Sequence, residues 1–267
     1  MAPIALTIAG SDSGGGAGIQ ADLKTFSALG VYGASVITAL TAQNTRAVTH
    51  VEPASPAMIA AQIAAVFDDL DIRAVKLGML GAGDAIRTVA AGLRGHDIPI
   101  VLDPVMIAKS GDALLPDEAV GTLRADLLPL STLLTPNLPE AARLLDTTPA
   151  TDAAAMQDQG RALLALGAKA VLMKGGHGTG DICTDLLITT DSTLRLTAPR
   201  LATRNTHGTG CTLSAAIAAG LAQGMDLAAA VTRAHAYLQG AIAAADGLHV
   251  GQGHGPVHHF HAVWSHG

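Results

Sequence analysis

Short apolar runs alternate with stretches whose apolar residues recur at helical spacing along nearly the whole chain. The first run covers 4–9 and reads as a buried strand. A glycine-rich stretch follows, Gly10-Ser11-Asp12-Ser13-Gly14-Gly15-Gly16-Ala17-Gly18. Apolar residues at 19, 23 and 26 then mark a helix that stops at Gly30. Further strands are predicted at 34–40, 74–77, 98–102, 132–135 and 170–173. Helices are predicted at 56–70, 83–94, 117–128, 138–145, 152–166, 211–223 and 226–245. The helix at 56–70 has Ser55 as N-cap and Pro56 at its first position, and buries Ile59, Ile63, Val66, Phe67 and Leu70. Segments 182–189 and 193–196 read as a hairpin around Asp191-Ser192, suited to antiparallel edge strands.

This alternation argues for one open, mostly parallel sheet with helices on both faces. No repeat of 20–50 residues and no Pro/Ser-rich linker divides it, so 1–267 reads as a single domain. In such sheets ligands bind beyond the carboxyl ends of the strands. The chemically unusual residues fall there: Gly10 to Gly18, Gln43, Met79, Asp103, Asn137 and Lys174 each follow a predicted strand. They are expected to share one cleft.

The stretch Asn205-Thr206-His207-Gly208-Thr209-Gly210-Cys211-Thr212 leads into an Ala-rich helix former. The hydroxyls of Thr209 and Thr212 suit a helix start. The first turn of a helix leaves backbone N–H groups unpaired, and its dipole is positive there, so the junction can hold a phosphate or a developing oxyanion. A glycine turn ahead of a packing helix is the plainer alternative. Lys174 offers a point charge for a phosphate. Asp103, Glu140 and Asn137 offer hard oxygen ligands for Mg²⁺, direct or through water. Cys211 sits at the helix N-terminus, where a thiol pKa is expected to fall. Each has a plainer reading too: Asp103 as a strand-end turn residue, Glu140 as a first-turn acid and Cys211 as a small buried hydrophobe. The first glycine stretch is neither a dinucleotide fingerprint, because Ile19 stands where the third glycine would be, nor a P-loop, because no Gly-Lys-Ser/Thr follows. The set suits phosphoryl transfer, which asks for positioning and charge neutralisation more than covalent chemistry.

Composition narrows the class further. With 267 residues, 49% hydrophobic and 14% charged, the chain can bury a sizeable core, which excludes disorder. Aromatics at 2% leave a core of Ala, Leu, Val and Ile and no base-stacking platform. A net charge of −6 without a Lys/Arg run argues against nucleic acid or an anionic membrane as partner. Cys183 and Cys211 show no CxxC spacing. The N-terminus lacks a basic region followed by an apolar run, and no 18-residue apolar run occurs, so a cytoplasmic protein without signal peptide or membrane span is expected. His254, His258, His259 and His261 read as a polar C-terminal segment.

Taken together, several stretches resemble the bacterial hydroxymethylpyrimidine/phosphomethylpyrimidine kinases, a branch of the ribokinase-like kinases. They are the glycine stretch from Thr7 to Thr25, Thr38 to Thr45, Lys76-Leu-Gly-Met79, Leu102-Asp-Pro-Val105, Leu134-Thr-Pro-Asn-Leu-Pro-Glu-Ala141, Met173-Lys-Gly-Gly176, Thr206 to Cys211 and the Gly253-His-Gly-Pro256 tail. The resemblance implies a three-layer ribokinase-like fold, a homodimer, and two phosphoryl transfers from ATP with Mg²⁺. The first goes to 4-amino-5-hydroxymethyl-2-methylpyrimidine and the second to its monophosphate, on the way to thiamine diphosphate. It implies Gln43 as pyrimidine reader, its carboxamide complementary to an amine beside a ring nitrogen. Asp22, Gly10, Met79 and Val105 would complete that pocket. Asp103, Asn137 and Thr209 would serve ATP and its phosphates, with Glu140 and Asp103 toward Mg²⁺. Lys174, Gly208, Gly210 and Cys211 would be catalytic. Cys211 stands where most ribokinase-like enzymes carry an Asp base. A pyridoxal kinase of the same subgroup shares both glycine motifs, and Gln43 favours the aminopyrimidine over it. A non-catalytic pyrimidine-binding protein is the other alternative. Segment 105–115, with Lys109, Ser110, Gly111 and Asp112, is the expected lid.

Overall fold

The strands are apolar on both faces, and that decides the layering. In the computed structural model, which describes residues 1–107, 114–177 and 180–264, β1 (Ile4–Asp12) sends Leu6 and Ile8 to one core and Ala5 to another. The remaining strands are β2 (Tyr32–Gln43), β3 (Val48–Pro53), β4 (Ile72–Leu77), β5 (Ile100–Leu102), β6 (Leu133–Leu134), β7 (Val171–Met173), β8 (Ile182–Ile188) and β9 (Thr193–Pro199). They form one sheet in the order β3-β2-β1-β4-β5-β6-β7-β8-β9. Neighbours from β2 to β7 run parallel, while β3, β8 and β9 are antiparallel additions at the two edges. A parallel centre buried on both faces explains why those strands read as continuous apolar runs.

On one face α2 (Pro56–Asp69), α3 (Gly83–Leu93), α4 (Asp117–Asp126), α5 (Leu138–Leu145) and α6 (Ala153–Ala165) pack on Leu6, Ile8, Val75, Leu102 and Leu134. On the other, α1 (Gly18–Ala28), α7 (Thr209–Ala222) and α8 (Leu227–Ala243) pack on Ala5, Ala74, Val101 and Leu133. Helix α7 is buried almost all round, which its Ala and Gly composition permits: small side chains let backbones come close.

The expected elements are present, with three instructive departures. Strand β3 is not predicted by the pattern, because Val48-Thr-His-Val-Glu-Pro53 is an exposed edge without apolar alternation. Gln43 closes β2 instead of lying in a loop beyond it. In α2 only Ile59 and Ile63 are buried; Val66, Phe67 and Leu70 are half-covered at the rim of the core.

The tail departs most from expectation. It is not a polar appendage: His258 and His259 are buried. Their segment is bonded both to the Thr45 loop and to His207 in the second glycine stretch. His254 N donates to Thr45 O at 2.8 Å, His207 N donates to Gly255 O at 3.1 Å, and Val257 N donates to His207 O at 3.3 Å. His259 Nε2 meets Thr212 Oγ1 at 3.1 Å under α7. Burial first, then the positive charge of Lys24 and the neighbouring histidines, pushes the His259 imidazole down to about 3. Below its ordinary range near 6.5 the unfolded chain therefore binds a proton that the folded chain refuses. The stability lost as pH falls from 6.5 toward 3 approaches about 1.4 kcal/mol per pH unit. Denaturant midpoints at pH 7 and pH 5 check this: His259→Gln should lose markedly less stability between the two than the unmodified chain.

Candidate active site

Beyond the carboxyl ends of the parallel strands lies a cleft of about 760 Å³. Gly10 near the end of β1, Gln43 closing β2, Met79 after β4, Asp103 and Val105 after β5, Asn137 after β6 and Lys174 after β7 all line it. Gly208, Thr209, Gly210 and Cys211, at the start of α7, enter from the other side. At Gly10 the β1–β2 register slips between Ala9 and Ser11, and the Gly10 N–H turns to Met79 O at 3.0 Å. This bulge places Gly10 against Met79 as a single wall.

The two glycine stretches meet backbone to backbone. Gly208 caps α7 at φ +80°, and a Cβ there would lie 1.9 Å from Gly16 O. A Cβ on Gly16 would in turn lie 2.4 Å from His207 Cδ2. Only glycine fits this approach. Asp12 organises the first stretch: Oδ1 accepts from Gly14 N at 2.8 Å, and Oδ2 accepts from Gly16 N at 3.1 Å and Ala17 N at 2.9 Å. Those three amides are thus already satisfied, whereas the α7 start has no side-chain cap and could receive an anion. Thr212, expected as a capping hydroxyl, is instead fully buried against His259.

Charge is concentrated opposite that helix start. Lys174 Nζ donates to Asp103 Oδ1 at 2.8 Å. The pair lies against Gly210, whose notional Cβ would be 3.3 Å from Lys174 Nζ and 3.4 Å from Asp103 Oδ2. Asn137 and Glu140 form a capping box on α5: Glu140 N donates to Asn137 Oδ1 at 2.9 Å and Asn137 N donates to Glu140 Oε2 at 2.8 Å. Burial pushes the Glu140 carboxyl up to about 7, with Lys174 pulling it down and Asp103 pushing it up. Among the described residues no three acidic, His or Cys side chains gather into a metal cage. Asp103 and Glu140 remain as hard oxygen donors in the cleft. That suits Mg²⁺, which is held by one or two carboxylates together with phosphates and water.

Two expectations need correction. Cys211 is half-buried at the first turn of α7, yet its thiol is not lowered. Burial pushes it up to about 11, aided by Asp22 and Asp103 and opposed by Lys76 and the Gly18 N–H. The helix N-terminus does not outweigh desolvation. Asp22 does not line the cleft at all. It is sealed under α1 against β1 and β4, accepting from Thr7 Oγ1 at 2.6 Å and from Lys76 Nζ at 2.8 Å. Against the cost of burial, Asp22 holds the Lys76 ammonium charged. Asp22 therefore supports the floor of the cleft from below.

The sequence model described as phosphomethylpyrimidine kinase matches residues 12–258. The chain belongs to this kinase family. A hydroxymethylpyrimidine/phosphomethylpyrimidine kinase of Rhizobium meliloti strain 1021 is 60% identical over 264 residues, covering 99% of both chains. The ADP complex of Bacillus subtilis pyridoxal kinase superposes with a TM-score of 0.91 at 35% identity, covering 99% of this chain and 100% of that one. The phosphomethylpyrimidine kinase of Clostridium difficile 630 gives 0.80 at 44% identity, covering 90% of this chain and 99% of that one. The three-layer arrangement is thus the ribokinase-like fold expected from the motifs.

Set in this family, the kinase shows two site residues that sequence pattern alone does not single out. Asp12 and His207 both line the cleft, joined by a 2.8 Å contact between His207 Nε2 and Asp12 Oδ2. Each stands inside a glycine motif, and only the distance of 195 positions between them hides the pairing. Asp185 and His235 also line the cleft; burial raises the Asp185 carboxyl, and the Gly175 N–H, His235 and Lys174 oppose it. The expected lid residues Lys109, Ser110, Gly111 and Asp112 lie outside the described residues. One consequence is measurable at Cys211. In a Cys183→Ser background, iodoacetamide labelling of the ligand-free kinase should follow a thiol titrating near 11. At pH 8 it should run about a hundredfold slower than for an ordinary cysteine. An inflection below pH 9 contradicts that environment.

Proposed function

We propose that the chain transfers a phosphoryl group from ATP to the hydroxymethyl oxygen of 4-amino-5-hydroxymethyl-2-methylpyrimidine. It then phosphorylates the resulting monophosphate to the diphosphate, in thiamine diphosphate biosynthesis. The observation that carries this reading is one juxtaposition. The Gln43 amide, the uncapped start of α7 and Lys174 share a single cleft. A carboxamide reads an amine beside a ring nitrogen. The helix start receives the negative charge that develops on the moving phosphoryl group. Lys174, paired with Asp103 in the ligand-free protein, has a phosphate oxygen as its alternative partner. Gly10, Met79 and Val105 supply the apolar wall of the pyrimidine pocket, and Thr209, Gly208 and Gly210 the backbone around the phosphates. Asn137 sets Glu140 through the capping box. Asp103 and Glu140 would hold Mg²⁺, which supplies charge neutralisation between the phosphates when bound.

Cys211 has a limited part in this proposal. Its thiolate, disfavoured by burial and favoured by Lys76, takes the hydroxyl proton in the first transfer. A loose transition state needs little such help. The second acceptor is already an anionic phosphate and needs less. The proposal includes a cytoplasmic homodimer with small-molecule substrates and no nucleic-acid or membrane partner. Among the described residues no helix is long and apolar enough to cross a membrane.

The test is ADP release from ATP-Mg²⁺ with the aminopyrimidine and with pyridoxal at equal concentrations, products weighed by mass spectrometry. Monophosphate followed by diphosphate from the pyrimidine is the expected result; preference for pyridoxal removes the specificity assignment at Gln43. In the same assay Cys211→Ala should slow the first transfer by about tenfold and leave the second within about twofold, less than a usual general-base effect because the transition state is loose. Equal losses in both steps contradict the base role.

A further inference from the structure

Donors and acceptors around Gln43 are not interchangeable. Burial disfavours charge on Asp12, yet His207 and two backbone amides outweigh it and hold the carboxylate ionised, below the ordinary range. A carboxylate only accepts, so the His207 Nε2 atom 2.8 Å from Asp12 Oδ2 carries a proton. Thr41 has one hydroxyl proton, and its 2.8 Å contact with the carbonyl of Ser11, a pure acceptor, takes it. Thr41 Oγ1 can then only accept from Gln43. As placed, the amide oxygen of Gln43 lies 3.1 Å from Thr41 Oγ1 and its nitrogen 3.4 Å from His207 Nε2. That arrangement sets acceptor against acceptor and donor against donor. Turning the amide by 180° removes both clashes. The nitrogen then donates to Thr41 Oγ1, and the oxygen faces the single Nε2–H, which it shares at 3.4 Å with the nearer Asp12 Oδ2. The two orientations differ only in which atom is nitrogen.

Resting on the pyrimidine reading of Gln43 above, we propose that His207, anchored by Asp12, and Thr41 are positioning residues that lock the Gln43 carboxamide with its oxygen toward His207 and its nitrogen toward Thr41. The consequence is directional. The oxygen takes the ring's amine on the His207 side, next to Gly208 and the α7 start. The nitrogen donates to the ring nitrogen on the Thr41 side. In a 4-amino-5-hydroxymethylpyrimidine the hydroxymethyl group neighbours the amine and not that ring nitrogen. Reading the edge in this sense turns the hydroxymethyl group toward the helix start, and the opposite sense turns it away. The ring of His207 is held firmly enough to act as a lock. Its backbone is bonded on both sides by the tail, and Gly16 packs against Cδ2. The same lock rejects a 4-oxo ring, whose carbonyl and ring N–H present the reverse pattern.

The experiment compares kcat/KM for the 4-amino substrate with that for its 4-oxo analogue, following the KM for ATP alongside. The unmodified enzyme should strongly prefer the amine. His207→Phe keeps the ring shape but removes the N–H, so the amide can turn, and the preference should fall roughly tenfold or more while the KM for ATP stays within about twofold. Thr41→Val should lower the preference in the same way, and it decides the matter if His207→Phe does not fold. Proportional loss of both activities in both variants overturns the proposal, since a merely structural role lowers both alike. Gln43→Glu separates the two levels. If it leaves the preference unchanged, Gln43 is not the reader and both readings fall. If it shifts the preference and the other variants do not, only the lock falls.

Discussion

The Asp12 carboxylate is the junction on which the cleft depends. It folds the first glycine stretch by taking amides from Gly14, Gly16 and Ala17, and it reaches the second stretch through His207. With that loop closed, Gly16 O can lie where no side chain on Gly208 could stand, and α7 can begin in the cleft without a side-chain cap. The tail completes the junction, bonding His207 on one side and the Thr45 loop on the other. The first glycine stretch, the approach to α7 and the tail are therefore one hydrogen-bonded unit. An acceptor-only group at its centre gives the surrounding donors a fixed sense.

Two ion pairs divide the remaining electrostatic roles. Lys76 and Asp22 are wholly buried, and Asp22 Oδ1 has no hydrogen-bond partner among the described residues. Removing one partner of such a pair strands a charge, at a cost of about 3–5 kcal/mol. Both charges of the pair act on Cys211, Lys76 favouring its thiolate and Asp22 opposing it. Lys174 and Asp103, by contrast, face the cleft. Their mutual attraction holds the lysine against Gly210 at the helix start.

Periodicity in the sequence reaches far into this structure. The parallel centre, the helices on both faces and the N-cap at Ser55 follow from local patterns, and the structure shows them within a few residues. The same holds for the idea that strand ends share a cleft, since topology alone dictates it. What fails does so for physical reasons. Strand β3 is exposed on an edge and carries no alternation. Asp22 enters the expected pocket only through the family resemblance, and α1 turns it inward onto Lys76. Cys211 looks activated because a dipole can be read from sequence and desolvation cannot.

The order of elements, the family motifs and the residue types available for phosphate, Mg²⁺ and an aminopyrimidine were determined by the sequence itself. They depend on spacing and composition over a few residues, which a linear reading captures. Which of those residues reach the cleft, which carry a proton and which way Gln43 faces were decided only in three dimensions. Contacts such as Asp12 with His207, Thr212 with His259 and Thr45 with the tail join positions far apart in the chain. Burial, which sets the protonation of Cys211, Glu140 and His259, is a property of the packed interior and leaves no mark on local sequence.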